Sequence, residues 1–372
     1  MSIGPQCLRL LAEARRIGAS DLLIVAGAPP AVYVNARMRP LCDTPLGTDD
    51  ARRLIDELLT EQQRDTLERN RDADFSVAHS DVGRCRVNVH FQRGSPAAAI
   101  RFVPDTVPGF DGLNLPPILE ELAHLPRGLV LITGGTGSGK STTMAAMLDR
   151  INQETALHII TLEDPIEYTF TNARSIIEQR EIGTDSPGFA EALRHIVRQK
   201  PDVIMVGEMR DLETIRTALT AAETGHLVLA SLHTVSAAQT VERIVDVFEP
   251  AQQAQIRTQL AGTLRAVACQ TLFTTADGDA MVPAVEVMVT TQAIARAIRD
   301  GETHLIAGMI ETGAAQGMRT LDREILRLVS EGAITRDAAL AKANNPERLA
   351  GLLDRPQEAV VARGASGARP WE

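Results

Sequence analysis

Gly134-Gly-Thr-Gly-Ser-Gly-Lys-Ser141 decides how this chain is read. It fits G-x-x-x-x-G-K-[ST] at every position. The apolar run Gly128-Leu-Val-Leu-Ile-Thr133 precedes it, and Met144, Met147, Leu148 and Ile151 come after it at helical spacing. Strand, glycine loop and helix in that order are the context the motif requires. The glycines let successive backbone N–H groups turn inward onto phosphates, and the helix start adds positive potential. Gly134, Gly135, Thr136, Gly137, Ser138, Gly139, Lys140, Ser141 and Thr142 are therefore the candidate nucleotide-binding residues. Lys140 is expected to reach the β- and γ-phosphates, and the Ser141 hydroxyl to sit on Mg²⁺.

Beyond this loop, His158-Ile-Ile-Thr-Leu162, Val203-Ile-Met-Val206 and Leu227-Val-Leu-Ala-Ser-Leu232 are further apolar runs separated by helical segments. Continuous apolar strands alternating with helices indicate a buried, mostly parallel sheet. Ligands of such sheets bind at the carboxyl ends of the strands. Here those ends deliver Glu163-Asp164, Glu208 and His233. Phosphoryl transfer to water needs the metal held, the water oriented and the developing charge neutralised. Glu208 is the candidate acid on the Mg²⁺ side, together with Ser141. Glu163 is the candidate to polarise the water. His233 is a candidate γ-phosphate sensor, and His226 a candidate supporting residue behind it. Arg86 and Arg101, on strands of an earlier segment, are candidate cations supplied across an interface; a solvated strand face explains either equally well from spacing alone. Arg210 is expected to pair with Asp211 or Asp164.

The chain has 372 residues, which suggests two to three domains. The first hundred read as a small α+β domain. Helical spacing covers residues 5–17 and 49–68, and strand-like runs cover Asp21–Ala26, Ala31–Asn35, Asp74–Ala78, Arg84–Phe91 and Ala97–Val103. Residues 104–117 hold four prolines and two glycines, the chemistry of a linker. The expected organisation is an N-terminal domain at 1–103, a linker at 104–117, an ATPase-type α/β domain at 118–289, a helical region at 290–353 and a flexible tail at 354–372. The net charge of −10 and 3% aromatic content argue against a nucleic-acid surface. Cys7, Cys42, Cys85 and Cys269 form no C-x-x-C pair, so zinc and dithiol motifs are absent. Neither a signal peptide nor a membrane-spanning stretch is legible, and a cytoplasmic location is expected.

Four motifs together, Gly134–Ser141, Leu162-Glu-Asp-Pro-Ile-Glu167, Val206-Gly-Glu-Met-Arg-Asp-Leu-Glu-Thr-Ile215 and Ala221-Ala-Glu-Thr-Gly-His-Leu-Val228, resemble the Walker A, Asp box, Walker B and His box of secretion ATPases. Ala19-Ser-Asp-Leu-Leu-Ile24, Gly27-Ala-Pro-Pro30 and Gly317-Met-Arg-Thr-Leu-Asp322 extend the likeness to the PilT type, the twitching-motility ATPases that retract type IV pili. The resemblance implies a PAS-like N-terminal domain, a RecA-like P-loop ATPase domain and a C-terminal helical region. It implies ATP and Mg²⁺ as ligands, a homohexamer and a pilus platform protein of the inner membrane as partner. It implies catalysis by Glu163 and a Walker B role for Glu208, and it brings Arg86 and Arg101 to the nucleotide. Three positions depart from that family's pattern: Lys200, where Asp is usual; Leu23, where His is common; and Ala295, which replaces the first Arg of a retraction-linked helix. The alternatives are a pilus-assembly or secretion ATPase of the same superfamily, an accessory retraction ATPase and, from a different class, a DNA translocase.

Overall fold

The computed structural model describes residues 3–35 and 37–354. The expected tail lies outside the described residues, except for Asp354. The chain divides into two compact units. One runs up to Val107 and includes Pro165–Thr171; the other comprises Pro108–Asp164 and resumes at Asn172. The Pro104–Pro117 segment is thus not the sole covalent crossing. The chain crosses again directly after Asp164 and returns after Thr171, because residues 165–171 associate with the first unit.

The first unit opens with α1 (Pro5–Arg16), β1 (Asp21–Ile24), β2 (Ala31–Val34) and β3 (Arg37–Pro40). It continues with α2 (Thr48–Asp56), α3 (Glu61–Asn70), β4 (Asp72–His79), β5 (Gly83–Gln92) and β6 (Ser95–Phe102). Its strands form an antiparallel sheet in the order β3-β2-β1-β6-β5-β4. Along β5 the apolar residues Cys85, Val87 and Val89 are buried, and Arg86 between them is exposed. Residues 49–68 are two helices rather than one. Thr60 starts the second with a capping box, its side chain accepting from the Gln63 backbone while the Gln63 side chain accepts from the Thr60 backbone. A capping box satisfies two N-terminal donors and sets a new helix start.

The second unit begins with α4 (Ile118–Ala123), β7 (Gly128–Thr133), α5 (Lys140–Glu154), β8 (His158–Glu163), β9 (Ile176–Glu181) and α6 (Phe189–Ile196). It goes on through β10 (Val203–Val206), α7 (Leu212–Glu223), β11 (Leu227–Leu232), α8 (Ala237–Asp246) and α9 (Pro250–Thr263). β12 (Leu264–Thr274) and β13 (Met281–Val289) complete a sheet of order β13-β12-β7-β11-β10-β8-β9. All neighbours are parallel except the β12–β13 hairpin. Every residue of β7, β10 and β11 is buried, which is why these strands read as unbroken apolar runs. Burial of Leu129, Val130, Leu131 and Ile132 stabilises the fold by about 1.5–3 kcal/mol per side chain.

After β13 come α10 (Gln292–Asp300), α11 (Ile306–Thr312), α12 (Leu321–Ser330), α13 (Arg336–Lys342) and α14 (Pro346–Leu353). Leu321, Ile325 and Leu328 of α12 are buried in one cluster with Phe273, Val282 and Ala284 of the hairpin. The apolar stripe of this helix therefore packs the helical region onto the sheet. Beside it the Glu324 carboxylate is buried between Arg319 (2.8 Å) and Arg327 (3.1 Å). Among the described residues no helix is long and apolar enough to cross a membrane.

Gly128 enters the central strand at φ +119, and a Cβ there would lie 2.5 Å from Arg265 Cγ and 3.0 Å from the Thr263 carbonyl oxygen. Strain of this kind costs on the order of 1–3 kcal/mol. Gly128→Ala should lower the midpoint of urea unfolding accordingly; an unchanged midpoint would show that the strand start tolerates a side chain.

Candidate nucleotide site

The loop between β7 and α5 is shaped by its glycines. Gly134 has φ +140, and a Cβ on it would collide with the Gln270 carbonyl oxygen of the neighbouring strand β12. Gly137 and Gly139 have φ +74 and +87, which side-chain-bearing residues rarely adopt. α5 then starts at Lys140 with no side chain capping its first N–H groups. Those donors and the helix dipole suit an anion. Lys140 is buried, and its ammonium donates to the carbonyl oxygens of Gly134 (3.0 Å) and Gly135 (2.9 Å). The Ser138 hydroxyl is buried without a hydrogen-bond partner among the described residues. This is a cradle with donors to offer, and it fits a polyphosphate.

Strand register gathers the remaining residues. Leu232 is opposite Thr133, Val206 is opposite Ala230, and Leu162 is opposite Val206. His233, Glu208 and Glu163 thus lie at the carboxyl ends of β11, β10 and β8, on the edge that carries the glycine loop. With strands about 4.8 Å apart, β8 lies three strands and about 14 Å from β7. Arg86 and Arg101 belong to the first unit, where they face each other across β5 and β6. Arg101 Nε also donates to Asp21 Oδ1 on β1 at 2.8 Å.

Glu208 is held from both sides. His233 Nε2 lies 2.8 Å from one oxygen and Arg210 2.8 Å from the other. Partial burial would raise this carboxyl, but the hydrogen bonds and charges of Arg210 and His233 outweigh it and hold the group below the ordinary carboxylate range. Arg210 therefore pairs with Glu208, not with Asp211 or Asp164. Asp211 instead caps α7, accepting from the Thr214 backbone at 2.8 Å and the Thr214 hydroxyl at 2.7 Å. His226 is removed from this cluster. It precedes the first residue of β11, at the opposite edge of the sheet, and its Nδ1 lies 2.9 Å from the Ala221 carbonyl oxygen. It closes the turn from α7 into β11, so a supporting role behind His233 is excluded by the strand's length.

Ser141, in the first turn of α5, and Glu208 offer the hydroxyl and carboxylate oxygens that suit Mg²⁺, a cation that keeps several waters beside substrate phosphates. Neither residue needs further protein ligands for that, and among the described residues there is no cluster of three or more His, Cys, Asp or Glu poised to hold a metal alone.

Four other residues belong to the site without any motif announcing them. The Thr143 hydroxyl donates to Gln270 Oε1 at 2.8 Å, tying α5 to the strand beneath the glycine loop. Glu163 Oε1 accepts from the Thr161 hydroxyl at 2.7 Å and from Gln179 Nε2 at 3.0 Å. A trace of Thr161 was available: it is polar in an apolar strand and two residues from Glu163, so both point to one face. Gln179 and Gln270 depend on pairings that sequence does not reveal.

Residues 113–343 match the family described as type II/IV secretion system protein. Over 338 residues the chain is 44% identical to the type IV pilus retraction ATPase PilT of Pseudomonas aeruginosa, covering 91% of this chain and 98% of that one. It is 40% identical over 342 residues to the type IV pilus ATPase PilU of the same organism, covering 92% and 89%. The crystal structure of the pilus retraction motor PilT with bound ADP superimposes with a TM-score of 0.86 at 44% identity, covering 92% of this chain and 98% of that one. The Legionella pneumophila ATPase DotB gives 0.78 at 28% identity, covering 89% and 93%. The chain belongs to the type II/IV secretion ATPase family, in the branch of the pilus retraction ATPases.

Proposed function

We propose that this chain is a ring-forming motor that converts ATP hydrolysis into retraction of a type IV pilus, at the cytoplasmic face of the inner membrane and through a pilus platform protein. One observation supports this most: the glycine cradle, Glu163, Glu208 and His233 share one sheet edge in a chain 44% identical to a pilus retraction ATPase over nearly its whole length.

In this reading, ATP binding exchanges the Gly134 and Gly135 carbonyls around Lys140 for the β- and γ-phosphate oxygens. Gly134–Thr142 hold the phosphates through backbone N–H groups and the Ser141 and Thr142 hydroxyls. Ser141 and Glu208 would hold Mg²⁺, which would supply electrostatic stabilisation of the phosphate charge. Glu163 orients the attacking water and accepts its proton. His233, whose Nε2 lies 2.8 Å from a Glu208 oxygen, reports the γ-phosphate by exchanging one oxygen acceptor for another. Arg86 and Arg101 complete the site of a neighbouring copy in a homohexamer. Like charges directly opposite in a sheet are destabilising, and Asp21 balances only part of this row; an anion from a neighbour would balance the rest.

A second reading has a specific observation in its favour. The 40% identity to PilU also fits a second retraction ATPase that works beside another. Piliation and twitching in a deletion strain separate the two: a principal motor leaves surplus pili and no twitching, whereas an auxiliary one leaves retraction impaired but present.

Three outcomes are expected. Glu163→Gln should bind ATP normally and lose about a hundredfold or more in turnover, the scale of a missing general base; near-normal turnover would remove Glu163 from this role. Arg86→Ala and Glu163→Gln chains should each be nearly inactive, yet recover turnover when mixed, since some interfaces then combine an intact arginine with an intact glutamate. Failure to recover, or a fully active monomer, would argue against a site shared between copies. On α10, Arg296 and Arg299 are exposed on one face and Arg296 pairs with Asp300 at 3.2 Å. Arg299→Ala should keep ATPase activity while leaving cells overpiliated and poor in twitching; normal twitching would place the coupling surface elsewhere.

A further inference from the structure

Glu163 stands at the end of β8 and is 6% exposed. A buried carboxylate must be compensated, and its terminal torsion is intrinsically broad. Two side chains address both needs. The Thr161 hydroxyl, fully buried two residues earlier on β8, and the Gln179 amide on β9 both donate to the same oxygen, Oε1, at 2.7 and 3.0 Å. Thr161 and Gln179 are themselves opposite one another in the parallel β8–β9 ladder, and that register brings both donors to Glu163. The same ladder sets a second carboxylate, Glu181, opposite Glu163, and Glu181 is 4% exposed. A neighbouring buried carboxylate disfavours a second negative charge, whereas hydrogen bonds to the ionised form favour it.

We infer that Thr161 and Gln179 are positioning residues that clamp Glu163 by Oε1 and fix the plane of its carboxylate towards the attacking water. This rests on the proposed role of Glu163 in hydrolysis and adds the residues that set its geometry. The clamp lies outside the glycine loop, so it affects the chemical step and not nucleotide affinity.

Thr161→Val preserves shape and removes the donor; Gln179→Leu removes the other. Each should lower kcat by about ten- to a hundredfold, the scale of a misplaced reacting group. KM and the affinity for a fluorescent ATP analogue should stay within about twofold, and the thermal midpoint near that of the parent. Thr161→Ser, which restores the hydroxyl, should recover most of kcat. In a Glu163→Gln background, Thr161→Val should add no further loss, since linked residues are not additive. Unchanged kcat in both single variants, with Glu163→Gln inactive, overturns the clamp and leaves the role of Glu163 intact. An active Glu163→Gln chain overturns that role and the clamp with it. A loss in Thr161→Val that Thr161→Ser does not rescue, or that comes with a matching loss of ATP affinity, marks Thr161 as structural and also overturns the inference.

Discussion

The close approach of two backbones, Gly134 on one strand end and Gln270 on the next, is the constraint on which the site depends. A Cβ at position 134 would occupy the space of the Gln270 carbonyl oxygen. Only with glycine there can the chain leave β7 at φ +140 and fold over the end of the sheet. That turn determines the geometry of the loop and of the helix after it. α5 begins at Lys140 with its first N–H groups uncapped, and the Lys140 ammonium turns back onto the loop carbonyls. Gln270 secures the arrangement from below through Thr143. The affinity of such a loop for phosphate is a property of backbone direction, and backbone direction here is set by what glycine lacks.

The second level of order is register. Glu163, Glu208 and His233 are separated by 45 and 25 positions in the chain, yet the parallel pairings place them on one edge. A parallel ladder with both faces covered is difficult to slip, because sliding by one residue exchanges the two faces. The fully buried strands β10 and β11 therefore do more than stabilise the unit. They fix the spacing between the group expected to polarise water and the group expected to sense phosphate.

Features that write themselves into local sequence were legible. The glycine loop, the apolar parallel strands and the carboxylates after them could be read from residue order alone, and the α/β class was a consequence. The capping box at Thr60 was equally local but lay within a helical periodicity that hid it. Other features were not legible because their cause is distant. β12 and β13 read poorly as strands because polar positions such as Gln270 and Glu286 interrupt their apolar pattern, and these are buried where the hairpin meets other elements. The pairing of Arg210 with Glu208 competes with two other acids nearby in sequence, and Asp211 is lost to it because a helix cap claims that carboxylate first. His226 shows the converse error. Its expected place is behind His233 as a supporting residue, but six residues of extended β11 separate the two.

The excursion of the chain bears on how a site of this kind drives motion. Residues 165–171 associate with the first unit, and they begin two positions after Glu163. Thr169 hydrogen-bonds to the Pro104 carbonyl oxygen there, and Asp105 pairs with Arg15. The two units are therefore joined covalently at Pro165 and Thr171 as well as at Val107. β8 ends at Glu163, and side chains of β8 and β9 donate to its Oε1. An anchored carboxylate next to a covalent crossing places two demands on one strand end. The group expected to polarise water is held to the sheet, while the residues just beyond it carry the covalent link to the first unit. Placing the acid on the last residue of a buried strand, rather than in the loop beyond, meets both demands with the same few positions.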